Sequence, residues 1–174
     1  YMGPPLGSDR LYVSGGCHQG VSNRGTFTLE DSDISFGRDD AINQTGVFDH
    51  IVEHPMANQI KIESGWLYEV GDTVSIWDWT YREHQEREQA QIINVVNNGD
   101  GTRTLVLDRD VTIVNVGPAV GERWEQERDG IDRVTNLNSV GKMIIRNCRL
   151  TTGFARPILM KTQDSLIEDC YIYG

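Results

Sequence analysis

Three short segments of this chain share one pattern: LEDSDI at 29–34, IRNCRL at 145–150 and IEDCYI at 167–172. Each reads aliphatic, charged, Asp or Asn, Ser or Cys, any residue, aliphatic. The last two copies lie 22 residues apart, from Cys148 to Cys170. Alternating apolar positions with a period in the low twenties predict a solenoid of short strands, each coil stacked about 4.8 Å from the next. Equivalent side chains then form columns. Ser32, Cys148 and Cys170 are expected as a small inward column, with inert thiols because an apolar core raises a thiol pKa. Asp31, Asn147 and Asp169 are expected as a polar ladder at a bend, serving the turn backbone. The third cysteine, Cys17, leaves an odd count at wide spacing, neither a disulfide framework nor a zinc pattern.

More than a hundred residues separate the first copy from the second, far more than one coil. From about residue 56 to 126 the texture changes. QIKIE, DTVSIWDWT, AQIINVV and RTLVLDRDV read as antiparallel strands, with NNGDGT at 97–102 as a hairpin turn and Gly71–Asp72 as another. The expectation is an all-β chain. Residues 1–55 and 127–174 form a parallel β-helix, and residues 56–126 form an inserted small antiparallel β-barrel. The polar stretch REHQEREQ, 82–89, reads as an exposed loop or brief helical turn.

The repeat also sets a register through FGRDDAINQTG, 36–46. Aligning Ser32 with Cys148 places Gly37 opposite Gly153, Ile42 opposite Ile158, and Asp40 one coil below Arg156. Counting back about 22 residues adds His18, for an expected column of His18, Asp40 and Arg156. Asp39 points the other way on a regular strand, but both aspartates reach one cleft if they sit at a bend. Three readings stand. The doublet is a solvated corner neutralised by Arg156. It is an acid and base for glycoside hydrolysis, where adjacent aspartates splayed across a bend can span the roughly 6.5–9.5 Å of an inverting enzyme. Or Asp31, Asp33, Asp39 and Asp40 offer oxygen ligands to calcium.

Composition narrows the partners. A net charge of −10 argues against nucleic acid and anionic membrane surfaces, which need basic patches. Neutral sugars and metal ions remain. No apolar run is long enough to span a membrane. The sequence begins at Tyr1 and stops after DCYIYG, still reading as strand, so a segment of a longer protein is expected. Trp77, Trp79 and Tyr81 alternate in IWDWTY and read either as a sugar-stacking platform or as barrel packing. Val74 and Ile76 facing inward would turn these aromatics out. Trp66 and Trp124 read as packing. His50 and His54 fall at the junction of the two textures, either bordering a cleft or lying in a plain loop. Glu53 is a distant alternative acid or base, His84 reads as solvated, and Arg38 either contacts substrate or screens charge.

Taken together, TFTLEDSDISFGRDDAIN, the barrel-like interruption and GKMIIRNCRLTTGFARPILMKTQDSLIEDCYI resemble the α-1,3-galactosidases of glycoside hydrolase family 110. The resemblance covers most of the chain outside the barrel. It rests on the Asp-Asp-Ala-hydrophobic-Asn string, the interruption after it and the Arg-x-Ile-Leu string. It implies a right-handed parallel β-helix (pectin-lyase-like) carrying a barrel insert, and an extracellular or periplasmic location. The activity implied is inverting, exo-acting hydrolysis of a terminal α-galactoside, without metal or organic cofactor. Position by position, Asp39 would be the general acid and Asp40 the base. Asn43 matches the motif asparagine, and Arg156 would orient Asp40 or bind a sugar hydroxyl. His18, Arg38, Trp77 and Trp79 complete the expected substrate contacts. Thr45 stands where that family has a histidine, and GGCHQG lacks the further aspartate of the preceding coil. The alternative is a non-catalytic β-helical protein of a surface or phage type that binds glycan or is structural. Polygalacturonases, which share a Gly-x-Asp-Asp string, are a second enzymatic alternative, although the expected Gly-His-Gly string is missing here. Nothing in the sequence sets an oligomeric state.

Overall fold

The computed structural model describes residues 18–37, 40–63, 67–80, 83–118, 130–152 and 156–173. These residues are nearly all β. The first four strands are β1 (His18–Val21), β2 (Thr26–Glu30), β3 (Asp33–Gly37) and β4 (Ile42–Thr45). Next come β5 (Asp49–Met56), β6 (Gln59–Glu63), β7 (Thr73–Thr80), β8 (Glu83–Asn97), β9 (Thr102–Leu107) and β10 (Arg133–Asn136). After a 3₁₀ turn, Leu137–Ser139, follow β11 (Lys142–Arg146), β12 (Arg149–Thr152), β13 (Ile158–Lys161), β14 (Leu166–Glu168) and β15 (Tyr171–Tyr173). The chain divides into two compact units, Tyr1–Gly46 with Ser139–Gly174, and Val47–Asn138. No helix among the described residues is long and apolar enough to cross a membrane.

The first unit holds three parallel sheets of three strands each, ordered β1-β4-β13, β14-β11-β2 and β15-β12-β3. Consecutive strands β2, β3 and β4 go to different sheets, and β11, β12 and β13 visit the same sheets in the same order. The repeat supplies the register. Leu29 pairs with Ile145, Ile145 with Ile167, and Arg149 with both Asp33 and Tyr171. Inward positions Ile34, Ile42, Met143, Ile145, Cys148 and Leu150 form one buried cluster. Each such aliphatic contributes about 1.5–3 kcal/mol by leaving water. At the bends, Asp31, Asn147 and Asp169 take φ values of 50°, 48° and 51°. Asp and Asn tolerate this left-handed region better than other side chains. Gly141, at φ 63°, enters the first rung after the barrel. A Cβ there would sit 3.0 Å from the Asn23 carbonyl oxygen.

Two details of the expected register change. Gly37 pairs with Thr152, not Gly153, because an irregularity after Ile34–Leu150 uses one more residue on β3 than on β12. The count is restored by Ile42, which does pair with Ile158. His18 pairs with Ile42, so it lies two residues out of step with Asp40. The link between β1 and β2 makes that turn of chain longer than the 22 residues assumed.

The second unit is a closed antiparallel barrel, ordered β10-β5-β6-β9-β8-β7. Its core gathers Ile51, Ile60, Ile62, Val74, Ile76, Ile92, Leu105 and Leu107, all fully buried. The insert runs over 47–138 rather than 56–126. The physical reason is closure: β10 must pair with both β5 and β7 to remove the sheet edges, and β5 and β10 lie outside the expected span. His50 and His54 are therefore residues of β5, not of a junction loop. The polar stretch at 83–89 is the first half of β8 rather than a loop. Cross-strand pairing holds it there. Ser75 Oγ donates to Glu86 at 2.5 Å, and Arg87 reaches Asp78 at 2.9 Å. The turn at 97–102 is as expected, with Gly99 and Gly101 at φ 78° and 86°.

Candidate functional site

The carboxylate of Asp40 and the guanidinium of Arg156 meet, as the repeat register predicts. Asp40 Oδ1 accepts the Arg156 backbone N–H at 3.2 Å and Nε at 3.0 Å, and Oδ2 accepts Nη2 at 3.1 Å. Backbone bonds fix the pair from below: the Ala41 N–H donates to the Arg156 carbonyl at 3.3 Å, and the Ile42 N–H to the Pro157 carbonyl at 3.2 Å. The two partners differ in exposure. The Asp40 side chain is 4% exposed and the Arg156 side chain 64%. A buried acid therefore holds an exposed cation in a fixed, two-point geometry.

Arg38 and Asp39 lie outside the described residues, as do Tyr81, Trp66, Trp124 and Cys17. His18 is placed by its backbone only, beside Ile42. Asn43 sits on β4 opposite Gln19 and Leu159, half-buried, while its neighbours Ile42 and Gln44 point inward. Its Oδ1 is buried with no hydrogen-bond partner among the described residues. The structure thus joins Asp40 to Arg156 and leaves His18 out of that column. No group of three His, Cys, Asp or Glu side chains among the described residues is placed to hold a metal ion.

Trp77 and Trp79 do lie on the parity opposite Val74 and Ile76, outside the barrel core. They do not form an open platform. Phe48 packs edge-on against Trp77 at 5.6 Å and tilted against Trp79 at 5.0 Å. His84 stacks on Trp79 at 3.8 Å, and the Arg133 guanidinium lies 4.5 Å from its ring centre. Trp79 is left 9% exposed, so its ring faces are spent on protein. Glu53 is paired with Lys61 at 3.2 Å.

The bends carry two further columns. Arg146 lies between Glu30, at 3.1 Å, and Glu168, with which it also makes a direct hydrogen bond. Asn147 Nδ2 donates to Asp31 Oδ1 at 2.6 Å. Each column alternates acid, donor, acid along the stack, so no two carboxylates occupy neighbouring rungs. Ser32 Oγ, Cys148 Sγ and Cys170 Sγ each donate to the carbonyl two residues back, at 2.7, 3.0 and 3.1 Å. Burial pushes the Cys148 thiol up, as expected for an inert core cysteine.

No protein-family model matches the chain. No curated protein matches it either. Among solved structures, the gp54 tailspike of Acinetobacter baumannii bacteriophage AP22, in complex with A. baumannii capsular saccharide, is similar at a TM-score of 0.31 and 9% identity. That match covers 92% of this chain and 30% of the tailspike chain. A likeness so slight carries nothing over to this chain, and the α-1,3-galactosidase family stands as a resemblance of motifs.

Proposed function

We propose that the first unit is a segment of a right-handed parallel β-helix that binds carbohydrate without cleaving it at Asp40. The three parallel sheets, visited in the same order by successive strand triplets, support the β-helix. The observation that carries the binding reading is the geometry of Asp40. A general base must meet water, yet the Asp40 side chain is 4% exposed and three hydrogen bonds from Arg156 take three of its roughly four lone-pair sites. What reaches solvent is the guanidinium, held rigid and able to donate to sugar hydroxyls.

One observation favours a second reading, inverting hydrolysis of a terminal α-galactoside with Asp39 as acid and Asp40 as base. Asp40 does fall beneath Arg156, as the repeat register has it, and Asp40 is the residue that the family resemblance makes the base. A glycan array followed by assay of α-galactosyl oligosaccharides separates the two. Binding without turnover, weakened by Arg156→Ala, is expected. Turnover abolished by Asp39→Asn and by Asp40→Asn would overturn the binding reading.

A further inference from the structure

A groove of about 410 Å³ runs along the bends between β2 and β3, β11 and β12, and β14 and β15. Asp31, Asp33, Asn147, Arg149, Asp169 and Tyr171 line it. We propose that this groove is a second carbohydrate site, taking an uncharged oligosaccharide laid along the stack of rungs. The proposal rests on the reading of the unit as glycan-binding and deepens it.

Three features lead to this ligand class. First, the groove pairs an aromatic face with a dense set of hydrogen-bonding groups, the mixture that a pyranose with one apolar face and equatorial hydroxyls requires. Tyr171 belongs to the outward column, in register with Arg149, and lines the groove. The Arg149 guanidinium stands 5.9 Å from its ring centre, a distance that steadies one face of the ring. Second, the column Asp33, Arg149, Tyr171 points outward by construction. Arg149 is covered by a rung on each side and still leaves 56% of its side chain exposed. Third, the rungs repeat at about 4.8 Å, close to the length of one pyranose unit, so successive sugars meet successive rungs.

Charge selects among glycans. Arg149 lies 3.7 Å from Asp33 and is thereby neutralised, while Asp31 accepts from Asn147. Carboxylates outnumber guanidinium groups three to one in the groove, with Asp31, Asp33 and Asp169 against Arg149. That balance repels uronic or sialic acids and leaves carboxylate oxygens to accept from neutral sugar hydroxyls.

Titration of the whole protein with neutral oligosaccharides, and in parallel with uronic-acid oligomers of equal length, tests this. Saturation-transfer NMR and calorimetry supply the readouts. The expected result is binding of the neutral series that Tyr171→Ala weakens about tenfold and that Tyr171→Phe preserves. Neutral binding untouched by Tyr171→Ala but lost in Arg156→Ala overturns the groove while sparing the Asp40–Arg156 site. Tyr171-dependent binding of uronic-acid oligomers at equal or higher affinity overturns the choice of ligand. Absence of any saccharide binding by the unmodified protein overturns both sites together.

Discussion

Cutting the Asp40–Arg156 pair from its two ends should cost different amounts, because the partners are unequally buried. Arg156→Ala strips Nε and Nη2, at 3.0 and 3.1 Å, from a carboxylate that is 4% exposed. Removing one partner of a buried ion pair costs about 3–5 kcal/mol, since the remaining charge has no water to turn to. Asp40→Asn removes the charge and turns one of the two acceptor oxygens into an NH2 donor, but the guanidinium it faces is 64% exposed and can return to solvent. Its cost is bounded by hydrogen bonds to a charged group, about 1.5–3 kcal/mol. The expected difference is about 1.5–2 kcal/mol, roughly a tenfold effect or more on local opening. Native-state hydrogen exchange at the Ala41 and Ile42 amides reads it directly, because those amides donate to the Arg156 and Pro157 carbonyls. Both amides should exchange at least tenfold faster in Arg156→Ala than in Asp40→Asn. The double variant should fall below Arg156→Ala in cost. Equal rates in the two single variants, or the reverse order, would refute the account of a buried acid holding an exposed base.

Two further outcomes follow from the columns and the barrel. Asn147→Asp places a carboxylate where an amide now donates to Asp31 at 2.6 Å. It should lower the melting temperature of the first unit more at low salt than at high salt, as a thermal melt at two ionic strengths would show. Tyr68 is pushed well above its ordinary value of 10.0 by burial and by the Asp49 carboxylate, to which its hydroxyl donates at 2.6 Å. The unfolded chain therefore loses this proton first, and barrel stability should fall as pH rises above about 10. Tyr68→Phe should flatten that alkaline limb in urea titrations, at a neutral-pH cost of about 1.5–3 kcal/mol for the lost hydrogen bond to a carboxylate.

Much of this arrangement was legible because repetition exposes it. Positions that recur in kind, such as Leu29, Ile145 and Ile167, or Asp31, Asn147 and Asp169, are the ones that close a rung, and they pair as the pattern implies. The Asp40–Arg156 contact followed from the same count, carried 116 residues across the insert. What could not be counted was missed. The longer link before β2 displaced His18 by two residues, and the irregularity on β3 displaced Gly37 by one. The ends of the barrel were hidden for another reason. β10 reads RVTN and β5 begins DHIVEH, neither with clean alternation, yet both are recruited because closure satisfies their backbone groups.

The position written as "any residue" in the repeat is occupied by Asp33, Arg149 and Tyr171. In a stacked repeat, inward positions are bound by packing and bend positions by φ, so they resemble one another from rung to rung. Outward positions answer to neither constraint and are free to differ. A search for similarity therefore finds the scaffold and passes over the column that faces solvent. Yet recognition of a ligand with distinct groups at successive points requires unlike side chains in register. An acid, a guanidinium and an aromatic ring on three consecutive rungs meet that requirement, and they line the groove.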